Sequence, residues 1–152
     1  MPALIAALTA LTILTPLSAC TSASHDDGPA GAATSFINEY DQWAQDGYTE
    51  PIPEGLKDAS SGTTIKELEN DRLWYSQGGI QQEGSLQIVD TSVVSQEGNS
   101  AVVRVTIDSS DIAIFAEGKK TFMSEERTTI TELTLKRTDR WRVTRSEQVE
   151  QK

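Results

Sequence analysis

The chain carries few of the side chains on which nucleophilic and imidazole-based catalysis depend. Its 152 residues include one cysteine, Cys20, and one histidine, His25. A Ser-His or Cys-His pair requires an imidazole held within a fold. His25 instead lies in a stretch of small residues, Gly, Pro and Asp, which preorganises no metal site. The sequence therefore predicts neither a metal centre nor a cofactor, and it leaves carboxylates and tyrosines as candidates for acid–base chemistry.

Two carboxylates fall within strand-like segments and are candidate proton-transfer bases. Asp108 ends an alternating apolar segment, and Glu132 interrupts another. Burial would raise the pKa of either carboxyl group and make it a general base. Glu132 shares its strand parity with neither Leu133 nor Leu135, so a solvent-facing position is the simpler interpretation. We therefore expect no enzyme activity, with a proton-transfer enzyme of the isomerase or dehydratase kind as the alternative.

Four large aromatic residues are candidates for lining a pocket. Trp43, Trp74, Tyr75 and Trp141 would suit an apolar or cyclic ligand. Trp43 and Trp141 lie on predicted apolar faces, where filling the core between helix and sheet is the simpler role. Trp74 and Tyr75 are adjacent, and on a strand they would point to opposite faces, which would leave one of them at a rim or surface.

The charge of the chain limits its partners. Acidic residues number 23 against 13 Lys and Arg, which gives a formal net charge of −10. This balance argues against a nucleic-acid-binding protein and against adhesion to anionic lipid. Five basic residues crowd into the last predicted hairpin: Lys136, Arg137, Arg140, Arg142 and Arg145. They would either bind an anionic partner or pair with the acidic helices, and the net charge favours the second interpretation.

The N-terminal segment is typical of a targeting signal. Residues 1–20 hold no charged side chain, and 3–14 form an apolar run that is too short to span a bilayer. The run ends in Leu17-Ser18-Ala19-Cys20, which resembles a bacterial lipobox. The resemblance implies cleavage before Cys20, a thioether link from Cys20 to diacylglycerol, and a location on the extracytoplasmic face of the cell membrane. An ordinary secretory peptide with Cys20 as a free thiol is the alternative.

One feature departs from the lipobox pattern. Signals of this class carry a basic n-region, and residues 1–14 hold no basic residue. A start codon placed a few residues too late would account for the difference. With this signal, the sequence predicts three parts: a signal peptide at 1–19, a lipidated flexible linker at 20–33 and a folded domain at 34–148.

Apolar spacing predicts two helices at the start of the domain. In the first, Thr34 or Ser35 is the expected N-cap and Gly47 the expected stop. Its apolar face is Phe36, Ile37, Tyr40, Trp43 and Ala44. Two prolines and a Ser-Ser-Gly predict an irregular segment over 48–62 that packs through Ile52 and Leu56. A capping box at 64–67 then predicts a second helix that ends near residue 71 or 72.

Beyond Gly78 and Gly79 the apolar period changes from 3.6 to 2. Strands are predicted over 86–94, 101–108, 112–117, 127–137 and 141–147, joined by hairpin-length connections. Two helices followed by four or five antiparallel strands give an α+β fold, in which the helices pack on a curved sheet.

This element order resembles the NTF2-like family, also called SnoaL-like or cystatin-like. The resemblance implies a cone-shaped sheet wrapped around the first helix, with a pocket at its open end. The enzymes of the family place Asp, His, Tyr or Arg in that pocket, and the lack of a His after position 25 excludes an Asp-His dyad. A small α+β sandwich is the alternative fold. The expected function is a membrane-anchored, non-catalytic module of the bacterial envelope that binds a partner protein, or else a small apolar ligand.

Overall fold

The computed structural model describes residues 28–121 and 127–149. Within these ranges the chain forms three helices and seven strands, an α+β fold as expected. The helices are α1 (Pro29–Gln45), α2 (Glu54–Ala59) and α3 (Thr63–Gln77). The strands are β1 (Ile80–Glu83), β2 (Gln87–Glu97), β3 (Ser100–Asp108), β4 (Ala113–Ala116), β5 (Lys119–Lys120), β6 (Thr128–Arg137) and β7 (Trp141–Val149). In this part of the chain, no helix has the length and apolar character needed to span a bilayer. Cys20 and the expected signal peptide lie outside the described residues.

The larger sheet is an antiparallel meander in the order β2-β3-β6-β7. Along β3, Val103, Val105 and Ile107 are buried and alternate with more exposed residues, as their spacing predicts. Leu133 and Leu135 of β6 continue the same buried face. Helix α1 packs on this face and contacts all four strands. The core therefore lies between α1 and one side of the meander.

A second, smaller sheet has the order β1-β4-β5. Strand β4 lies close to the predicted segment 112–117, whereas β1 was not expected from the sequence. Its residues, Ile-Gln-Gln-Glu, show no apolar alternation, and they become a strand by pairing with β4 between Ile80–Ala116 and Glu83–Ala113. Its existence depends on a long-range partner rather than on local propensity.

Helix α1 begins at Pro29, with Gly28 as its N-cap, and not at Thr34 or Ser35. Proline suits the first helical position, because its missing N–H would have no intrahelical partner there. Residues 29–33, expected in the flexible linker, therefore belong to the helix, and Pro29 and Ala33 are buried. Their small size predicts a tether, but in the structure Ala33 belongs to the buried core.

The C-terminus of α1 is a Schellman motif, and Gly47 ends the helix as predicted. Gly47 has φ +76° and donates its N–H to Ala44 O at 3.0 Å, while Tyr48 donates to Trp43 O at 3.0 Å. The motif brings the Tyr48 and Trp43 rings into an edge-on contact with centroids 5.2 Å apart. This turn also holds Tyr48 at φ +54°.

Three local expectations for residues 48–77 were wrong. The segment 48–62 contains α2, although Ile52 and Leu56 are buried as predicted. The capping box does not form: α3 starts after Gly62 without a side-chain cap, and the Thr64 hydroxyl is buried with no hydrogen-bond partner among the described residues. Helix α3 also continues to Gln77, so it includes two aromatic residues that were expected on a strand.

A buried carboxylate fastens α1 to the region around β1. Asp41 is 8% exposed. Its Oδ1 accepts hydrogen bonds from the Gln82 side chain at 2.6 Å and from Leu86 N–H at 3.2 Å, and its Oδ2 accepts one from Gln45 at 2.9 Å. This network fixes how the small sheet and the start of β2 sit against the helix.

Candidate functional site

A cleft of about 510 Å³ opens between α1, α2 and the turn that joins β6 to β7. Its helical walls are made of small residues, Gly28, Gly31, Ala32, Gly55 and Ala59, and the buried Trp141 lies on the sheet side. Small side chains at these positions leave space between the helices and the hairpin. The volume lies within the range of small-molecule sites, about 300–1,000 Å³.

Most of the charged groups around the cleft are already paired. Arg140 lies 3.2 Å from the Asp58 carboxylate of α2, and Arg142 donates to Asp58 O at 3.2 Å. Arg142 also binds the Asp139 carboxylate, and this hydrogen bond is the main cause that holds the pKa of Asp139 well below its usual value. Arg140 and Arg142 of the basic hairpin thus pair with α2 and with their own turn, as the favoured interpretation of the hairpin's charge predicts.

Two charged residues of the cleft differ from the rest. Among the described residues, neither the Glu39 carboxylate nor the Arg137 guanidinium has an ion-pair or hydrogen-bond partner. Glu39 projects from α1 and Arg137 ends β6, so the two charges belong to different walls. The cleft therefore holds a half-buried carboxylate and an exposed guanidinium, and neither has a protein partner among the described residues.

Strand parity explains why Arg137 lines the cleft. Arg137 pairs with Trp141 across the β6–β7 ladder, and Lys136 pairs with Arg142. Side chains alternate between the two faces of a strand, so Arg137 shares the face of Leu135, which packs in the core under α1. Lys136 lies on the opposite face and is exposed.

The missing side chain of Gly55 leaves room for the Glu39 carboxylate. A Cβ added to Gly55 would meet Glu39 Oε2 at 2.5 Å and Oε1 at 2.7 Å, which is closer than real Cβ contacts allow. The carboxylate therefore rests directly against the first turn of α2. Glu39 is half-buried there, which limits the positions it can take.

The four aromatic candidates do not form one pocket. Trp43 is fully buried in the core, and its indole N–H donates to Thr49 O at 2.8 Å. Trp74 is 75% exposed on α3, and Tyr75 stacks on Tyr48 with centroids 4.5 Å apart. Trp141 alone of the four lines the cleft.

Neither candidate proton-transfer carboxylate is a buried base. Asp108 lies at the surface, where hydrogen bonds from the side chain and backbone N–H of Ser110 lower its pKa. Glu132 pairs with Arg104 across β3 and β6, with Arg104 Nε 3.1 Å away, on the face opposite the core. The solvent-facing interpretation of Glu132 is confirmed, and the alternative of burial was wrong for both residues.

The sequence analysis missed a carboxylate beside a cluster of tyrosines. The Tyr40 hydroxyl donates to Asp71 Oδ2 at 3.4 Å, and the other two tyrosines of the chain, Tyr48 and Tyr75, lie in the same aromatic cluster. Burial is the main cause that raises the pKa of Asp71, and burial also raises the pKa of Tyr48 to about 12. Asp71 and Tyr75 are four residues apart on α3 and share a helix face, which is the sequence signal that could have revealed them.

Metal chemistry finds no support in the described part of the chain. No group of three or more His, Cys, Asp or Glu side chains lies within reach of one ion in residues 28–121 and 127–149. The structure therefore offers no coordination shell against which to test a metal-dependent activity.

The comparisons with known proteins show a shared fold. No family model matches the chain, and no curated protein matches it. The intermembrane space region of the chloroplast protein ARC6 has a TM-score of 0.57 at 16% identity, over 80% of this chain and 97% of that one. A proposed aromatic ring hydroxylase from Novosphingobium aromaticivorans has a TM-score of 0.52 at 11% identity, over 79% of this chain and 87% of that one. At these identities the likeness concerns the fold alone.

Proposed function

We propose that the protein is a lipid-anchored, non-catalytic binding module on the extracytoplasmic face of a bacterial cell membrane, and that the cleft is its binding site. The observation that carries this proposal is the position of the cleft along the chain. Gly28, the N-cap of α1, is itself a cleft residue. The site therefore adjoins the segment that leads from Cys20 into the domain.

The length of that segment limits how far the cleft can lie from the anchor. Eight peptide units separate Cys20 from Gly28. A fully extended chain of this length spans at most about 29 Å, and any other conformation is shorter. An acylated Cys20 would keep Gly28, at one end of the cleft, within this distance of the membrane surface. The anchor itself needs two or more acyl chains, because one chain gives only reversible binding at about 0.8 kcal/mol per buried methylene.

The cleft also favours a polar partner over an apolar one. Of the aromatic residues proposed to line a pocket, Trp141 reaches the cleft, and it is only 5% exposed. The remaining walls are small residues and charged side chains. A small apolar ligand would have to desolvate these charged groups without pairing them.

Labelling and fractionation in a bacterial host test the anchor. The full chain and its Cys20→Ser variant are expressed in the presence of an alkyne-labelled fatty acid. We expect label and partition into the detergent phase of a Triton X-114 extract for the wild type, and no label for the variant. Ser22→Ala, a substitution two residues beyond the cysteine, serves as the control and retains both. An unlabelled wild-type chain in the aqueous phase would overturn the lipoprotein proposal.

Native mass spectrometry tests the binding role. The wild-type chain, released gently from envelope material, is compared with the Arg137→Gln variant. An added mass that the variant loses supports a ligand in the cleft. A chain whose native mass equals its denatured mass in every envelope preparation, with no partner protein recovered with it, would contradict a binding module.

A further inference from the structure

We infer that the cleft binds a zwitterionic aminophosphate, in which Arg137 receives the phosphate and Glu39 receives the ammonium group. Phosphoethanolamine, free or as the headgroup of a phospholipid, is the simplest molecule of this class. The inference rests on the proposed function, because it assigns a ligand class to the same cleft.

The charges in the cleft lead to this class of ligand. Asp58 is paired with Arg140 and Asp139 with Arg142, so these groups need no external partner. Glu39 and Arg137 have none among the described residues. A simple anion would satisfy Arg137 and leave Glu39 uncompensated, and a simple cation would do the reverse. A ligand with both charges compensates both groups, and as a phosphodiester headgroup it adds no net charge.

The chemistry of the two side chains assigns each end of the ligand. A guanidinium offers parallel N–H donors that match the oxygen atoms of phosphate. A carboxylate accepts the N–H bonds of a primary ammonium, and charged hydrogen bonds of this kind are the stronger ones. Gly55 leaves room for the Glu39 carboxylate against the wall of α2, where Glu39 is half-buried.

The net charge favours a zwitterionic lipid over an anionic one. With a formal charge of −10, the chain is repelled by a surface of anionic phospholipids. A phosphatidylethanolamine headgroup has no net charge and avoids this repulsion. An anchor within about 29 Å would also place such headgroups at a high effective concentration near the cleft.

Calorimetric titration of the full chain carrying Cys20→Ser tests the ligand class. The probes are phosphoethanolamine, phosphocholine, ethanolamine and inorganic phosphate. We expect phosphoethanolamine to bind at least tenfold more tightly than the other three, because choline has no N–H to donate and the last two each lack one charge. Glu39→Gln and Arg137→Gln each weaken binding tenfold or more. Glu69→Gln and Lys136→Gln remove the same charges at exposed positions outside the cleft and change binding less than twofold.

Vesicle flotation distinguishes the two sources of the ligand. The same unlipidated chain is mixed with phosphatidylcholine vesicles that contain or lack phosphatidylethanolamine. Flotation that requires phosphatidylethanolamine and Arg137 assigns the site to the lipid headgroup. Binding of soluble phosphoethanolamine without flotation assigns it to the free molecule.

Two results would overturn the inference. Inorganic phosphate that binds as tightly as phosphoethanolamine, with no effect of Glu39→Gln, would make the cleft an anion site. A lack of binding by every probe would remove the ligand class altogether. Both results leave the proposed function standing if Cys20 of the wild type is acylated. If the labelling experiment instead finds the wild type unacylated while the Cys20→Ser chain binds phosphoethanolamine, the anchor is refuted and the site is kept.

Discussion

Replacing Gly55 by alanine should separate binding from stability. The added Cβ would lie 2.5 Å from Glu39 Oε2 and 2.6 Å from Glu39 Cδ. Ordinary contact begins near 3.5 Å, so the carboxylate has to move by about 1 Å. It can do so, because it is the end of a flexible side chain and has no partner among the described residues.

Two contributions of opposite sign nearly cancel in the stability, whereas binding only loses an interaction. Alanine in a helix is favoured over glycine by about 0.5–1 kcal/mol, and a shifted Glu39 rotamer costs about 0.5–1.5 kcal/mol. The free energy of unfolding should therefore stay within about 1 kcal/mol of the wild type. A charged hydrogen bond is worth about 1.5–3 kcal/mol, so losing the one from Glu39 should weaken phosphoethanolamine binding roughly tenfold to a hundredfold.

Urea denaturation and calorimetric titration measure the two quantities on the same protein. Gly78→Ala is the matched control, since it adds the same methyl group at φ −78°, in α3's C-cap, away from the cleft. The control should bind as the wild type does. Our reasoning is wrong if Gly55→Ala binds phosphoethanolamine normally, or if it loses more than about 2 kcal/mol of stability, which would mean that the carboxylate cannot move.

Three further substitutions test the fold. Gly47→Ala places a Cβ at φ +76° and should lower the free energy of unfolding by about 1–2 kcal/mol in urea denaturation, where an unchanged value would contradict the Schellman motif. Asp41→Ala leaves the Leu86 N–H unpaired and should cost about 1–3 kcal/mol, with fast hydrogen exchange at that amide as its signature. The pKa of the Asp71 carboxyl group is raised in the folded state, so the folded chain holds this proton more tightly than the unfolded chain does, and the free energy of unfolding falls as pH rises above 3.8. Asp71→Asn removes this pH-dependent contribution. A difference in unfolding free energy between wild type and variant that stays constant with pH would contradict the raised pKa.

The strands of the larger sheet could be predicted because the signal for each of them lies within its own sequence. Val103 and Val105 alternate with exposed residues along one strand, so the period alone assigns the buried face. The small sheet could not be predicted in this way, because β1 is polar and gains its partners from β4 and from Asp41. The alternation of apolar and polar residues identifies strands with one buried face. It does not identify strands whose formation depends on residues far away in the sequence.

The candidate site escaped prediction for a related reason. Glu39 and Arg137 are ordinary surface residues in sequence, nearly one hundred positions apart. Their importance comes from what they lack, an ion-pair partner among the described residues, which only the three-dimensional arrangement reveals. The pocket was predicted at the aromatic residues instead, but Trp43 packs in the core and Trp74 faces solvent.

The start of α1 links the tether and the site in one segment. Small residues at 28–33 predicted a linker, because they supply no large apolar side chain to a core. The same residues form the first turns of a helix and, at Gly31 and Ala32, a wall of the cleft. At 1.5 Å per residue, the wall that α1 contributes to the cleft runs for about 17 Å, from Gly28 to Glu39, which is the neighbour of Tyr40 in the tyrosine cluster. An anchor at Cys20 would therefore hold the Gly28 end of the cleft nearer the membrane than the Glu39 end, so that a membrane-derived ligand would enter past Gly28.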